Sequence, residues 1–489
     1  MGKLNKDGRI YAILKKIKEP EIFFLVAATF FGGLFIFLIP PMQAYDEQAH
    51  FFRAYQFSTF TLRSPLIQEA NSRVKSPGGY LPSNISGFGD TFLYSVRMDK
   101  GSSSRHKLAV LKHDYRKYAF KTVDYKDKNP IAFAGSSVYS PVSYLPQIIG
   151  IWIGRLLHLP ILLFYYLSRI LTLAAWIFLI YKATKMLPVG KWLMVTAALT
   201  PLSLSLAGSF SADAMTIALS FFTVALFLKY TFSKQPVETN DIILITIAST
   251  AVALCKSGLW PIALLFWLIP VARFVTFKKY AVSNFIISGA SIGFFSLWYL
   301  VVHYAVRYIA VTGGAMVDPS RQLQYIKHAP WTFMNTMLHQ FVSWRHDFDY
   351  FKTGFGMLGW GEAYIGFVGL GLVALTLLAA TMFALSEKIP KPNIRPKQRL
   401  GSLAIFILLM GIMSLSLYIT STAVGAPIID AVQGRYIIPF IPLAIPILAG
   451  LGYRYKKSLN GIHRHAWILA PAITLVLCIA TVAVVSRYY

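Results

Sequence analysis

Apolar runs of about twenty residues recur from one end of this 489-residue chain to the other, and one such run already spans roughly 30 Å of hydrocarbon. Hydrophobic residues make up 56% of the chain, which excludes a soluble domain with one large core. The chain reads as an all-α polytopic integral membrane protein, a single transmembrane domain over 1–489. Candidate spans are 22–41, 161–181, 192–208, 213–230, 239–255, 259–275, 282–305, 363–386, 401–422, 435–452 and 466–486. The first run, Phe23 to Pro40, is too long for a signal peptide, and Pro40-Pro41-Met42-Gln43 offers no small-residue cleavage site, so it is expected to be retained. Cys255 and Cys478 fall in or at the ends of apolar helices and point to packing rather than a disulfide framework or a metal site. No repeat of solenoid length is visible, nor a pair of interrupted helices of the kind that marks inverted-repeat transporters.

The formal charge is +27. No basic cluster carries interleaved aromatics in a soluble module, so no nucleic-acid partner is expected, and basic membrane proteins owe such charge to cytoplasmic loops. The basic N-terminus (Lys3, Lys6, Arg9, Lys15, Lys16, Lys18) belongs inside. The stretch 142–158, broken by Pro146 and carrying Arg155, decides the rest. If it lies along the outer leaflet as a juxtamembrane helix, five basic connections fall inside: Lys182/Lys185/Lys191, Lys229/Lys234, Arg273/Lys278/Lys279, Lys388 to Arg399, and Arg454/Lys456/Lys457/Arg464. The short outer connections near 209–212 and 423–434 then carry no Lys or Arg. The expected topology is about eleven spans, N-terminus in and C-terminus out. It leaves two long extracytoplasmic loops, 42–160 and 306–362, with part of the first (70–130) forming a small excursion.

Acidic residues number only 20, yet Asp46 and Glu47 stand side by side just beyond the first span, followed by His50 and Arg53. Ionisable groups near hydrocarbon are costly and tend to be functional. In a helix begun after Pro41, Asp46, His50 and Arg53 share one face, with Glu47 beside Phe51. A carboxylate near a hydrophobic wall suits a general base, whereas an Asp at a helix start also suits an N-cap. Asp213 opens a later helix, where an N-cap is the favoured reading. Lys256 at an outer turn either snorkels or binds. In Gln433-Gly434-Arg435-Tyr436, an arginine opens an apolar helix on the outer side against the positive-inside bias; an anionic ligand explains it, and so does an ion pair with Asp430.

The second loop interleaves Trp344, Arg345, His346, Asp347, Asp349 and Tyr350, then runs Gly354 to Gly361 around Trp360. That mixture suits sugar stacking with hydrogen bonding, while Trp and Tyr also form ordinary aromatic belts. His346 with Asp347 and Asp349 is a loosely spaced ligand set for a divalent cation. Asn84-Ile85-Ser86 fits a glycosylation sequon. No phosphate-cradling glycine loop, nucleophile elbow or zinc-protease helix occurs, which argues against cytoplasmic nucleotide chemistry. What remains is a set of polar groups expected on the outer face: Asp46, Glu47, His50, Arg53, Lys256, Arg345 and Arg435.

Pro41 to Arg53 with its Asp-Glu-x-x-His-x-x-Arg core, Tyr139 to Pro146, Gly356 to Trp360 and Gln433 to Pro439 resemble recurring segments of a bacterial domain-of-unknown-function family of polytopic membrane proteins. The match runs in order through nearly the whole chain. That family in turn resembles the GT-C superfamily of membrane glycosyltransferases, with an acidic residue in the first outer loop, juxtamembrane helices after it and polyprenyl-phosphate sugars as donors. The resemblance implies transfer of a sugar to an extracytoplasmic glycan, lipid or protein, with Asp46 or Glu47 as catalytic base. Arg435, Lys256 and Arg345 would hold the donor phosphate, and His50, Arg53, His346, Gln433 and Tyr436 would contribute to substrate binding. No cofactor is required on this reading, although the second loop leaves room for a divalent cation. The competing expectations are a transporter or flippase of lipid-linked saccharides and a glycan polymerase or ligase.

Overall fold

The computed structural model describes residues 18–69, 75–97, 104–256, 258–312, 317–389, 393–452 and 461–489. The basic residues Lys3 to Lys16, part of the 388–399 run, and Arg454, Lys456 and Lys457 lie outside them. Among the described residues seven helices are long and apolar enough to cross a bilayer: Pro20–Leu38, Ile161–Met186, Ala212–Phe232, Phe277–Val306, Gly366–Ser386, Pro396–Ser421 and Ile462–Tyr488. Ala212–Phe232 is the hub, with 89% of its apolar window buried, which its small side chains Ala214, Ala218 and Ser220 allow. Phe277–Val306 and Pro396–Ser421 bury only 22% and 28% of their apolar windows, the rest being half-buried or exposed.

The expected span 239–255 forms with those bounds, as the 17-residue helix Thr239–Cys255, and three others take other forms. The stretch 192–208 splits into Lys191–Ala198 and Pro201–Ala207, because Pro201 has no N–H to donate and turns Thr200 extended. The stretch 259–275 is wound as two 3₁₀ helices, Trp260–Leu268 and Val271–Phe274, flanking Pro270. Gly434–Leu443 is likewise 3₁₀, with Pro439 and Pro442 removing two donors, before Ala444–Leu448. The expectation of uninterrupted helices is therefore corrected in these stretches. Uniform hydropathy hides a proline break.

Within 142–158, expected as a juxtamembrane helix, one short helix forms. Leu145–Leu156 has 12 residues, about 18 Å of helix, too short to span. It folds back on Ile161–Met186 through two glycines: a Cβ at Gly150 would lie 2.4 Å from Ser168 Oγ, and one at Gly154 2.2 Å from Phe164 Cβ. Arg155 and Trp152 both donate to the Ser58 carbonyl, at 2.8 and 2.9 Å.

The all-α reading misses a small sheet in the first long loop. β1 (Leu66–Ile67), β2 (Ser76–Pro82) and β3 (Lys128–Ala132) pair antiparallel in the order β1-β2-β3, with Gly78 opposite Ala132. Helices Ser83–Arg97 and Ser104–Tyr118 connect β2 to β3. An aromatic core including Phe51, Phe88, Phe92, Tyr118 and Tyr144 fixes this unit to Tyr165 and Phe210 at the ends of two long helices. Asn84 of the sequon is buried, its amide donating to the Thr122 carbonyl.

Candidate functional site

The chain leaves the first long helix at Pro40-Pro41 and enters the helix Glu47–Ser58 through a tight bend in which Met42 (φ 62°) and Asp46 (φ 56°) are both left-handed. Non-glycine residues pay of order 1 kcal/mol or more for that backbone, so the bend needs outside support. Met42 N–H donates to Tyr165 Oη at 3.2 Å, Gln43 Nε2 to the Phe92 carbonyl, and Trp360 Nε1 to the Met42 carbonyl at 2.9 Å. Trp360 stands between Gly359 and Gly361 beyond the short strand Met357–Leu358, and both glycines have positive φ. A Cβ at Gly359 would meet Tyr488 Oη at 2.1 Å, and one at Gly361 Tyr45 Oη at 2.6 Å. The glycine–tryptophan run of the second loop thus clamps the bend that presents Asp46.

Asp46 occupies the N-cap position of Glu47–Ser58 without making a capping hydrogen bond. Its half-exposed carboxylate instead accepts from Arg435 Nη2 at 2.8 Å. Arg435 is buried; its Nε lies 3.6 Å from Asp213 Oδ2, and its guanidinium is 4.6 Å from the Tyr45 ring centre. Asp213 Oδ1 accepts from Lys256 Nζ at 3.0 Å, and that ammonium stands 3.8 Å from the Tyr436 ring centre. Asp46, Arg435, Asp213 and Lys256 therefore form one chain of alternating charge, two carboxylates against two cations.

His50 joins this cluster, its Nδ1 bonded to Tyr144 Oη and its ring edge-on to Tyr139. Burial is the largest cause holding its imidazole down, at about 4 against an ordinary 6.5, and it outweighs the pull of Asp46 and Asp213. It is neutral at pH 7 and adds no third cation. A folded-state value below the unfolded one gives stability that is fully present above about pH 6.5 and is lost as the pH falls toward 4. The melting temperature of purified protein is expected to drop across that window, and His50→Gln to flatten the drop. A slope identical in both proteins would show that His50 does not cause it.

These groups line a cavity of about 590 Å³. Asp46, His50, Tyr139, Lys256, Arg435 and Tyr436 form its polar end. Phe295, Trp298 and Val302 from one of the two least buried long helices, and Met413, Leu417 and Ile419 from the other, supply most of its apolar lining, with Ser416, Thr420 and Ser421 of the second helix among them. The cavity is amphipathic, and its greasy side lies between the two long helices with the smallest buried share.

Backbone contact sets the height of Arg435. A Cβ at Gly434 would lie 1.7 Å from the Tyr350 carbonyl oxygen, one at Gly354 would lie 2.8 Å from the Gly434 carbonyl carbon, and Gly434 N–H donates to Thr353 Oγ1 at 3.2 Å. Gly434→Ala must push the two segments apart, a cost of about 1–3 kcal/mol from overpacking. It is expected to lower both the melting temperature and ligand binding, while Gly371→Ala, whose Cβ would meet nothing within 4 Å, should leave ligand binding unchanged.

Of the residues read from the sequence, the fold brings together Asp46, His50, Lys256, Arg435 and Tyr436. It takes three others elsewhere. Glu47 is fully buried: Oε2 accepts from Ala44 N–H and Oε1 from Phe210 N–H, both at 3.0 Å, with Arg169 Nε 3.9 Å away. Arg53 is also fully buried, donating to Gln56, Ser64 and the Leu62 carbonyl over the Phe57 ring, so it anchors the loop after its own helix. Gln433 lies outside the cavity lining; its carbonyl accepts from Tyr436 N–H, and its Oε1 is buried without a hydrogen-bond partner. Arg345 and His346 lie in the helix Trp344–Phe351, with side chains outside the described set. The Asp430 alternative for Arg435 is replaced by the pairs with Asp46 and Asp213. The N-cap reading of Asp213 is corrected as well: Ser211 Oγ caps that helix by accepting from Asp213 N–H, which frees the Asp213 carboxylate to bridge the two cations. Among the described residues no group of three or more His, Cys, Asp or Glu side chains could hold a metal ion.

A profile of the family described as Predicted membrane protein (DUF2142) matches residues 29–444, a stretch that contains Asp46, His50, Asp213, Lys256 and Arg435. The chain belongs to that family. The resemblance read from Pro41 to Arg53 and the later segments agrees with this membership, and the seven long apolar helices agree with the membrane location of a DUF2142 protein. No curated protein and no solved structure matches the chain.

Proposed function

We propose that this membrane protein transfers a sugar from a polyprenyl-phosphate-linked donor to an extracytoplasmic acceptor, in the manner of the GT-C glycosyltransferases it resembles. The observation that carries the reading is a half-exposed carboxylate paired with the buried Arg435, with the part-buried Lys256 beside it, at the polar end of an amphipathic cavity. The apolar wall suits a lipid tail entering from the bilayer, and the Arg435–Lys256 pair suits its phosphate. The reading includes about eleven crossings, N-terminus inside and C-terminus outside, with the cavity on the outer face.

Asp46 accepts the proton of the acceptor hydroxyl as that oxygen bonds to the anomeric carbon. The bond from that carbon to the phosphate oxygen breaks, and its electron pair stays on the phosphate, whose added charge Arg435 and Lys256 stabilise. Asp213 holds both cations in position. His50, with Nδ1 engaged by Tyr144, offers its other nitrogen to a sugar hydroxyl. Turnover of polyprenyl-phosphate sugars by the purified protein tests the proposal.

Translocation of an intact lipid-linked saccharide draws on a different observation, the broken apolar stretches 191–207 and 434–448. It needs the cations but no proton acceptor, so Asp46→Asn would leave it running. Cysteines placed at 155 and 185 test the orientation. The first should label from outside and the second only after permeabilisation, and external labelling at 185 would sink the topology.

A further inference from the structure

The resting site is electrically closed: the carboxylates of Asp46 and Asp213 balance Arg435 and Lys256. A lipid phosphate entering such a site must compete with one of the carboxylates, because a third anion next to both is repelled across a low-dielectric wall. The two carboxylates are not equally free to yield. Asp213 has a side chain only 9% exposed and lies between both cations, so releasing it would strand a buried charge. Asp46 is 48% exposed and regains water when released, whereas the Arg435 side chain is 4% exposed and cannot follow it. The Arg435 Nε is buried and makes no hydrogen bond, its nearest acceptor being Asp213 Oδ2 at 3.6 Å. A phosphate presenting two oxygens satisfies Nε and Nη2 together, which a singly bonded Asp46 does not. The released carboxylate stays at the N-terminal end of Glu47–Ser58, where the helix favours an anion and where it caps nothing at rest.

We infer that the ligand's phosphate displaces Asp46 from Arg435, so that the carboxylate becomes an available proton acceptor only when donor is bound. This rests on the transferase reading for what Asp46 then does. In the empty site the guanidinium holds Asp46 as an ion pair, so that Oδ2 is already engaged. Once phosphate takes Arg435, the proton of the acceptor hydroxyl moves to Asp46 while the sugar moves to the acceptor oxygen. The departing lipid phosphate gains one negative charge, held by Arg435 and Lys256. Loss of the proton from Asp46 to water restores the carboxylate, which re-pairs with Arg435 and helps to expel the product.

The test is direct binding to the purified full-length protein in detergent, with a short-chain polyprenyl monophosphate as probe and inorganic phosphate as its tail-free counterpart. Removing the competing carboxylate should strengthen binding: Asp46→Asn and Asp46→Ala are expected to bind the lipid probe roughly three- to tenfold more tightly than wild type, and Arg435→Gln more than about tenfold more weakly. Inorganic phosphate should give the same order. Equal or weaker binding by both Asp46 variants, with Arg435→Gln still impaired, overturns the exchange and leaves the anion site standing. Absence of Arg435-dependent binding in the wild type overturns the reading underneath, and the exchange with it.

Discussion

Asp46→Asn is expected to lower sugar transfer by about 10³-fold, within the 10²–10⁴ supplied by a positioned base, with little change in folding. The asparagine has nearly the same shape, and its amide oxygen can still accept from Arg435 Nη2, so the bend at 40–46 keeps its other supports from Tyr165, Phe92 and Trp360. What it lacks is a site for the proton. Initial rates with a labelled donor, alongside a thermal melt, measure both effects. A variant that transfers at a rate within about threefold of wild type would remove Asp46 from the chemistry.

Glu47→Ala should do the opposite: it should destabilise the protein by about 3–5 kcal/mol, because it leaves the buried Arg169 charge without a counter-charge. Glu47 and Arg169 have side chains 0% and 1% exposed. Arg169 has other partners in the Gly208 and Ile39 carbonyls, but these are dipoles rather than a charge. Ala44 and Phe210 would also lose the acceptors of their N–H groups. The readout is melting temperature and yield of folded protein, and Glu47→Ala with Arg169→Met should recover part of the loss. A Glu47→Ala protein with normal stability and no transfer would instead make Glu47 the base.

These neighbouring carboxylates show where the sequence stops being legible. Both could be seen as charge beside hydrocarbon, yet one is a buried clamp and the other lines the cavity. The difference arises from a left-handed backbone at Asp46, held by groups as distant as Tyr165 and Trp360. Of the shared helical face expected for Asp46, His50 and Arg53, the first two hold, since both line the cavity, whereas Arg53, three residues past His50 in the same helix, is drawn off by Gln56, Ser64 and the Leu62 carbonyl. Lys256 and Arg435 were readable because a lone cation at the end of an apolar run has few other uses. Asp213 was not, because Ser211 two residues earlier takes the cap and only the fold brings Arg435 and Lys256 to it. The long helices follow from hydropathy alone. β2 does not, since Ser-Pro-Gly-Gly-Tyr-Leu-Pro lacks period-two alternation; Gly78 is there because a Cβ would lie 2.1 Å from the Ile131 carbonyl oxygen of a strand far along the chain.

On the proposed reading the cavity breaks a sugar–phosphate bond and does not merely carry a lipid. Proteoliposomes containing the purified protein, supplied with a labelled polyprenyl-phosphate sugar and an outer-face acceptor, test it most directly. Label on the acceptor and free polyprenyl phosphate are expected in equal amounts, both lost in Asp46→Asn. Intact labelled donor moved from one leaflet to the other, at the same rate in wild type and Asp46→Asn and with no free polyprenyl phosphate, would contradict it.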